Sequence, residues 1–335
     1  LHTKQSSMRS ITRTSVFKTT RNLEGGAFAV GERIRERLTS ADFAATSRTF
    51  NLLGFSACVR SEAALVADLV ELLWAPLLRD VEPEHVFTVV QSPPDVNGIV
   101  EWHLHLDALH VVSAPALSIV VSHLLWEANR QALENTPGHA LLHSAAVTSG
   151  EDAGIIVGPQ GSGKSTLAIA LVARYGLGYL TDEAVAISPN GLPDGLMVQP
   201  YAKYISVGAN IGEILPEVSP ISDPALVSLL GELVLVPASS LRAGSVSGAA
   251  RPSVVVLPTY IPNAPTKIEV LSPAAAMHSV GQHSYHLARD TALVMDTLAA
   301  VTSSARCIAL TSGDLDEACQ VVLDLLSHES SGTVS

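Results

Sequence analysis

Charge, aromatic residues and cysteine are all scarce in this sequence. Charged residues make up 16% of the 335 residues, aromatic residues make up 4%, and there are three cysteines. Cys58, Cys307 and Cys319 are scattered and lack the spacing of metal ligands, which fits the reducing environment of the cytoplasm. We therefore expect a cytoplasmic protein without a cysteine-based metal site.

An excess of basic residues is also missing. The 20 lysines and arginines are outnumbered by 32 aspartates and glutamates, which gives a formal net charge of −12. Because contacts to nucleic-acid phosphates need clustered lysine and arginine, we expect no nucleic-acid partner. The one basic stretch, from Lys4 to Arg21, is rich in serine and threonine, which is typical of a flexible tail or of an arm that docks a partner.

No apolar run is long enough to span a membrane. Hydrophobic residues make up 47% of the chain, yet no run of about 18 consecutive apolar residues occurs. The longest candidate, residues 114–126, is interrupted by Ser118, Ser122 and His123. The first residues also lack the basic-then-apolar layout of a secretory signal. We therefore expect neither a membrane span nor a membrane partner.

The most informative feature that is present is a glycine-rich run that fits the pattern G-x-x-x-x-G-K-[S/T]. Its glycines let backbone N–H groups turn inward around a polyphosphate, its lysine reaches the outer phosphates, and the following hydroxyl binds Mg²⁺. The run therefore predicts binding of ATP and Mg²⁺. Its residues are Gly158, Pro159, Gln160, Gly161, Ser162, Gly163, Lys164, Ser165 and Thr166.

The residues on either side of this glycine loop supply the context that the motif requires. Residues 153–157 are typical of a short apolar strand, and residues 167–175 are typical of a helix that ends at Gly176. Strand, glycine loop and helix in this order argue against a chance match.

Two acidic residues follow the next predicted strand. That strand covers residues 177–181, and Asp182 and Glu183 come directly after it. Because strand–helix–strand connections are parallel, both acids should leave the sheet at the same edge as the glycine loop. An acid in this position holds Mg²⁺ or orients a nucleophile. Both acids, together with Ser165, are therefore candidate metal ligands.

A hairpin is predicted immediately before the glycine loop. The apolar residues 140–148 are joined to the following strand by so short a turn that only antiparallel pairing is feasible. Pairing Thr148 with Ala153 puts His143 opposite Gly158. We therefore predict that His143 lies at the mouth of the loop as a functional residue and not as a core histidine.

These features together resemble the catalytic domain of HPr kinase/phosphorylase and its stand-alone kinase relatives, a P-loop fold similar to PEP carboxykinase. The family pattern is a strand with a histidine, a turn, the glycine loop, a helix and a strand that ends in paired acids. His143, residues 158–166, Asp182 and Glu183 match it in order and spacing. The resemblance implies an α/β fold with α+β elements, in which a smaller α+β domain precedes a P-loop domain with a mixed sheet.

The resemblance also implies a role for each site residue. Asp182, with His143, would handle the proton of a substrate hydroxyl, while Glu183 and Ser165 would bind Mg²⁺ and Lys164 would act on the phosphates of ATP. The paired acids are Asp-Glu here, where the bifunctional enzyme has Asp-Asp. No good copy of the loop that grips HPr is present, which favours a specialised kinase.

Two downstream segments resemble the family less closely. Residues 199–207 resemble a stretch of the smaller relatives in which Lys203 would meet a phosphate or an acidic substrate group. A lysine exposed to solvent is an equal alternative. Residues 254–260 resemble a later strand in which relatives often carry Pro-Arg-Tyr, but Thr259 stands in place of the arginine. A phosphate clamp would then come from elsewhere, with Arg251 or Lys203 as candidates.

The chain is predicted to contain two domains and two tails, namely a basic flexible tail (1–23), an N-terminal α+β domain (24–136), a P-loop catalytic domain (137–326) and a flexible tail (327–335). The N-terminal domain includes a predicted helix over residues 63–78 and two histidines, His103 and His105, on one strand face. Because no third ligand stands at a defined spacing, we interpret these histidines as residues of an exposed face.

The predicted function is ATP-dependent transfer of the γ-phosphoryl group to a hydroxyl, with a serine or threonine of a peptide or small protein as the expected acceptor. Stand-alone relatives with such an N-terminal extension often accompany ribosomal-peptide biosynthesis, which implies a precursor peptide presented by the N-terminal domain. A small-molecule kinase, a nucleotide-driven switch or ATPase, and a non-catalytic nucleotide-binding module remain alternatives. The presence of both acids and of the histidine favours a catalytic function over a module that only binds a nucleotide. Formation of a homo-oligomer is left open.

Overall fold

The structure is a computed structural model that describes residues 43–188 and 195–329. The predicted basic tail lies outside the described residues, as do residues 24–42 of the predicted N-terminal domain. Of the predicted C-terminal tail, residues 327–329 continue the last helix, and the remainder lies outside the described part of the chain.

The first described residues build a seven-stranded sheet and two helices. In chain order these elements are β1 (Ala45–Thr46), β2 (Thr49–Leu52), β3 (Phe55–Ser61), α1 (Ala64–Leu73), β4 (Leu78–Arg79), β5 (His85–Gln91), β6 (Trp102–Leu106), β7 (Leu109–Ala114) and α2 (Leu117–Glu134). The strand order is β4-β2-β3-β5-β6-β7, with β1 paired to β3. The strands β3 and β5 run parallel because α1 crosses between them.

Helix α1 is shorter than the sequence pattern predicts. It ends at Leu73, and a single 3₁₀ turn, Ala75–Leu77, follows in place of the predicted continuation to residue 78. The reason is Pro76, which has no N–H for the carbonyl four residues earlier and whose ring clashes with that carbonyl. The buried face of the helix is formed by Val66, Ala67, Leu69, Val70 and Leu73.

The remaining described residues build an eight-stranded sheet, a two-stranded ribbon and six helices. In chain order these are β8 (Ala140–Ser149), β9 (Asp152–Val157), α3 (Lys164–Ala173), β10 (Gly178–Thr181), β11 (Ala184–Ser188), β12 (Met197–Gln199), β13 (Ile205–Ser206), α4 (Ile211–Ile214), α5 (Pro224–Leu230), β14 (Leu235–Val236), β15 (Arg251–Tyr260), β16 (Lys267–Val270), α6 (Pro273–Gly281), α7 (Thr291–Ser304), β17 (Arg306–Ser312) and α8 (Leu315–Glu329). The large sheet has the order β12-β11-β8-β9-β15-β17-β16, and β10 also pairs with β8. Because β9, β15 and β17 are parallel and the other pairs are antiparallel, the predicted α/β class with a mixed sheet is confirmed.

Helices cover both faces of the eight-stranded sheet. Ile156 of β9 packs in a cluster with α3 and α8, whereas Ile155 and Val157 pack in a second cluster with α6 and α7. A strand that is buried on both faces has to be apolar at every position. This explains the uninterrupted apolar run that leads into the glycine loop.

The glycine loop and the paired acids leave the sheet at the same edge, as predicted. The strands β9 and β10 run in the same direction, but they are not neighbours, because each pairs antiparallel with β8 between them. Their last residues lie close along β8, with Val157 opposite Ser144 and Thr181 opposite Ala146. One edge of the sheet therefore carries both segments.

The seven-stranded and eight-stranded sheets share a hydrophobic core. Phe50 of β2 and Leu124 of α2 belong to the same buried cluster as Ala184 of β11 and Tyr201. The hydroxyl of Tyr201 also donates a hydrogen bond to Asn129 Oδ1 of α2, at 2.6 Å. The first sheet and its helices therefore pack directly against the segment that follows the paired acids.

The interpretation of His103 and His105 as exposed-face residues is wrong. Both side chains are buried, with 7% and 6% of their surface exposed. The sheet also supplies the third histidine that the sequence spacing did not show, because β7 returns alongside β6 and carries His110.

Two expectations from composition concern cysteines and membranes. Cys58, Cys307 and Cys319 are all buried and none forms a disulfide. Among the helices of the described residues, none combines the length and apolar character needed to cross a lipid bilayer.

Candidate active site

The loop between β9 and α3 has the backbone conformation that its glycines predict. Gly161 and Gly163 have φ angles of 82° and 96°, which residues with a side chain rarely adopt. A Cβ on Gly158 would lie 2.8 Å from Ser162 Oγ, so a larger residue at this position would displace the Ser162 side chain. Helix α3 begins at Lys164, three residues before its predicted start, because the loop turns directly into it.

The loop carries polar groups that suit a chain of phosphates. Ser162 Oγ is buried and has no hydrogen-bond partner among the described residues. The N–H groups in the first turn of a helix have no helix carbonyl to bond, and they carry the positive end of the helix dipole. Pro159 and Gln160 form the exposed crest of the loop, and Thr166 lies half-buried in the first turn of α3. The residues present therefore fit the phosphate groups of a nucleotide.

The side chain of Lys164 lies back across this loop. Its Nζ donates a hydrogen bond to the carbonyl oxygen of Pro159 at 3.0 Å, and only 7% of the residue is exposed. Burial lowers the pKa of Lys164, while the charges of Asp182 and Glu183 act in the opposite direction. The ammonium group is therefore close enough to both acids to interact with them.

Asp182 is buried beside the first turn of α3. Its Oδ1 accepts a hydrogen bond from the Tyr179 hydroxyl at 3.1 Å, and it also bonds the side chain of Ser165. Burial raises the pKa of the Asp182 carboxyl to about 6. The charge of Lys203 and the two hydrogen bonds oppose this shift without cancelling it. Asp182 is therefore a carboxyl group that titrates close to neutral pH.

Glu183, which is half-buried, forms an ion pair with the buried Lys203. Glu183 Oε2 lies 3.1 Å from Lys203 Nζ, and Lys203 is only 3% exposed. The same Nζ donates to the carbonyl oxygen of Tyr204 at 3.3 Å and lies 4.2 Å from the centre of its ring. Burial alone would raise the pKa of Glu183, but the charge and hydrogen bond of Lys203 outweigh it and the pKa is lowered. The alternative of a solvent-exposed Lys203 is therefore wrong.

The hairpin before the loop has the predicted register. Thr148 pairs with Ala153, and this pairing carries His143 to the same edge of the sheet as the loop. His143 Nδ1 lies 3.0 Å from the hydroxyl of Tyr285 and 3.2 Å from the carbonyl oxygen of Glu183. Because a carbonyl oxygen only accepts, a proton on Nδ1 satisfies this contact and leaves the lone pair of Nε2 free.

His143 interacts with the second acid of the pair. The protonated form of the imidazole contributes to lowering the pKa of Glu183, as does the ammonium group of Lys164. Among the contacts of the described residues, none joins the imidazole to the carboxylate of Asp182. The structure therefore groups Ser165 with Asp182, and His143 with Glu183.

A segment that the sequence analysis did not include completes this side of the site. The backbone N–H of His143 donates to the carbonyl oxygen of His283 at 2.7 Å, and Leu142 forms a bridge with Ser284. Burial lowers the pKa of His283, and the charges of Lys164 and His143 lower it further. The signal that could have revealed this segment is the concentration of two histidines and a tyrosine in residues 283–286.

Helix α2 supports both segments that flank the paired acids. Besides the contact of Asn129 with Tyr201, the carbonyl oxygen of Leu133 lies 2.7 Å from Nε2 of His286. These contacts fix residues next to Lys203 on one side and next to Tyr285 on the other. The first sheet and its helices therefore help to position the site.

Arg251 does not lie at the glycine loop. It pairs with Asp152 at 3.0 Å, at the start of β9, whereas the loop follows the end of that strand. A six-residue strand separates the two ends by about 17 Å, since each residue advances about 3.3 Å. Of the two candidates for a replacement phosphate clamp, only Lys203 lies beside the paired acids.

Comparisons with known proteins give little further information. No protein-family model matches the sequence, and no curated protein matches it. Among solved structures, the HPr(Ser) kinase/phosphatase from Coxiella burnetii is similar with a TM-score of 0.28 and 10% sequence identity. The match covers 57% of this chain and 95% of that chain. A likeness at this level assigns neither a family nor an activity to the chain.

The raised pKa of Asp182 predicts a stability that depends on pH. An unfolded aspartate loses its proton near pH 3.9, whereas the folded chain keeps it up to about pH 6. Because the folded state binds more protons in this interval, the free energy of unfolding should fall as the pH rises through it, by about 3 kcal/mol at most. Asp182→Asn should abolish this fall and make the variant more stable than wild type at pH 7.

Urea unfolding at a series of pH values from 4 to 7 measures this effect. Asp68→Asn, which changes an exposed aspartate in α1, is the matched control and should keep the wild-type dependence. If the free energy of unfolding of Asp182→Asn depended on pH as that of wild type does, burial would not raise the pKa of this carboxyl group.

Proposed function

We propose that this chain is an ATP-dependent kinase that transfers the γ-phosphoryl group to a hydroxyl group. One observation carries the proposal. The glycine loop with Lys164, the buried Asp182, the half-buried Glu183 and the buried cation Lys203 interact within one site at one sheet edge. Phosphoryl transfer depends mainly on positioning and on neutralising charge, and this site has the groups for both.

Asp182 is the better suited of the two acids to accept the hydroxyl proton. A general base works best when its pKa is close to the operating pH, and burial brings the pKa of Asp182 to about 6. Glu183 has a lowered pKa and is tied to Lys203. In the proposed step the hydroxyl oxygen bonds to the γ-phosphorus, its proton passes to Asp182, and the bond to the bridging oxygen breaks to release ADP.

Ser165, Glu183 and Asp182 would provide the oxygen ligands for Mg²⁺. Hydroxyl and carboxylate oxygens are the donors this ion prefers, and Ser165 already bonds the carboxylate of Asp182. Bound Mg²⁺ would neutralise charge on the phosphate oxygens. Lys164 and Lys203 supply two further positive charges, with Lys164 on the loop and Lys203 beside the acids.

The acceptor we propose is a serine or threonine of a peptide or small protein, such as a ribosomal precursor peptide. This part of the proposal rests on the sequence resemblance to the stand-alone HPr kinase-like enzymes. Helix α2 braces the segments around the site, so the N-terminal elements are well placed to influence substrate access. Three free cysteines are consistent with a cytoplasmic enzyme.

Transfer of label from γ-labelled ATP tests the proposal against its alternatives. The enzyme is incubated with Mg²⁺ and with peptides that contain serine or threonine, and labelled peptide and free phosphate are quantified separately. Label on peptide supports the proposed acceptor, and label on a small hydroxyl compound alone would replace it. Release of free phosphate alone would indicate an ATPase, and the absence of any turnover would indicate a binding module.

Lys164→Ala should abolish transfer and weaken MgATP binding, because the variant lacks the positive charge that binds the outer phosphates. The rate of label transfer and calorimetric titration with MgATP measure the two effects. Lys267→Ala, which removes an exposed lysine of β16, is the matched control and should behave as wild type. Wild-type turnover by Lys164→Ala would rule out the phosphate-binding role of the loop.

Asp182→Asn should slow transfer by about 10²–10⁴-fold, because the amide cannot accept the hydroxyl proton. MgATP affinity should fall much less than the rate, because Ser165 and Glu183 remain as metal ligands, and unfolding measurements show whether the variant is folded. An affinity for Mg²⁺ that falls together with the rate would mean that Asp182 is a metal ligand first. Undiminished transfer would mean that His143 or the substrate itself, and not Asp182, accepts the hydroxyl proton.

A further inference from the structure

Three histidines meet on the β6–β7 hairpin, on elements that take no part in the candidate active site. His103 and His105 are two residues apart on β6, so their side chains lie on the same face of the sheet. His110 of β7 is the cross-strand partner of His105. One potential ligand nitrogen from each ring lies within 4.8 Å of the other two. The pairing of the strands, and not a sequence motif, brings this group together.

Two of the three imidazoles are buried without the hydrogen bonds that burial normally requires. Nε2 of His103 and both ring nitrogens of His105 have no partner among the described residues. A buried polar group without a hydrogen-bond partner destabilises a fold. Burial also lowers the pKa of both rings, to about 4 for His105, so the rings stay neutral. Neutral imidazole is the form that binds metals.

The third imidazole faces solvent and contacts a hydroxyl group on its own strand. His110 is exposed, and its Nε2 lies 3.0 Å from the hydroxyl of Ser113 on the same strand. Its ring centre lies 5.7 Å from that of His103 and 5.2 Å from that of His105. The cluster therefore has a buried side formed by two rings and an accessible side through which an ion can enter.

We propose that His103, His105 and His110 form a zinc site with three imidazole ligands and a fourth position open to solvent. Imidazole nitrogen is a preferred donor for Zn²⁺, and three protein ligands with one open position is the arrangement of a site that can exchange its fourth ligand. Zinc–nitrogen bonds of about 2.0–2.1 Å in tetrahedral geometry bring the nitrogens to about 3.3 Å from one another. Rotation of the exposed His110 side chain is the simplest way to close that distance.

Bound zinc would join the two strands of a hairpin at the edge of the seven-stranded sheet. Because β7 ends the strand order, its outer side has no neighbouring strand among the residues that the structure describes. A metal that binds the folded chain and not the unfolded chain raises stability by mass action. The site is independent of the proposed kinase activity, because none of its ligands contacts the loop or the paired acids.

The test uses the full chain without an added histidine tag, freed of metal by chelator dialysis. Zinc is titrated in excess Mg²⁺, so that the candidate active site does not compete, and Co²⁺ serves as a spectroscopic probe. We expect one equivalent of zinc with micromolar or tighter affinity, and visible Co²⁺ bands typical of tetrahedral nitrogen ligands. The melting temperature should rise with zinc and not with the same concentration of Mg²⁺.

His110→Ala removes the exposed ligand and should leave the fold intact. Because loss of even an outer-shell partner typically weakens a metal site by 10–100-fold, zinc affinity should fall by at least about 100-fold and the Co²⁺ bands should disappear. His123→Ala, which removes an exposed histidine of α2 outside the cluster, is the control and should bind as wild type. Unchanged zinc affinity in His110→Ala, or no stoichiometric binding by wild type, would overturn the proposal. Zinc-independent melting of the wild type would also overturn it.

Discussion

A buried lysine pairs with a half-buried glutamate next to the glycine loop, and the arrangement of the site depends on this ion pair. Removing the charge of Lys203 from water is unfavourable by several kcal/mol, so this lysine would not be stable there without the carboxylate of Glu183. The carbonyl oxygen and ring of Tyr204 hold the ammonium on its other side. Asp182, buried next to the pair, is less well compensated and keeps a raised pKa. An ion pair of this kind is weak evidence for stability, whereas buried charged groups with shifted pKa values cluster at functional sites.

The eight-stranded sheet determines where these charges meet. Because β9 and β10 both run antiparallel to β8, the loop after one strand and the acids after the other reach the same edge. The antiparallel hairpin brings His143 of β8 to this edge as well. Helix α2 then fixes the segments that carry Lys203 and Tyr285 through side-chain and carbonyl contacts. The seven-stranded sheet therefore contributes to the site without supplying any of the groups proposed to act on the phosphates.

Sequence reasoning succeeded where the determining interactions are local. A short turn allows only one hairpin register, and a run of glycines allows a narrow set of loop conformations, so the pairing of Thr148 with Ala153 was predictable. Contacts between segments that are distant in the sequence were not predictable. Packing or strand order, which a single sequence does not reveal, determines these contacts. They are the ion pair between Lys203 and Glu183, the approach of Tyr285 to His143, and the position of the third histidine beside His105. The candidate role of Arg251 as a phosphate clamp failed for the same reason. Only the register of β15 shows which end of the sheet this residue occupies.

A crystal structure with Mg²⁺ and a non-hydrolysable ATP analogue tests the central claim most directly. The account predicts that the phosphates lie in the loop of residues 158–163, with the terminal phosphate within hydrogen-bond distance of Lys164. The metal should lie between Ser165 and the carboxylates of Asp182 and Glu183, and an open space beside Asp182 should be able to admit a hydroxyl group. A nucleotide bound elsewhere on the chain would contradict the account. Phosphates bound in the loop without contact between the metal and either acid would also contradict the account.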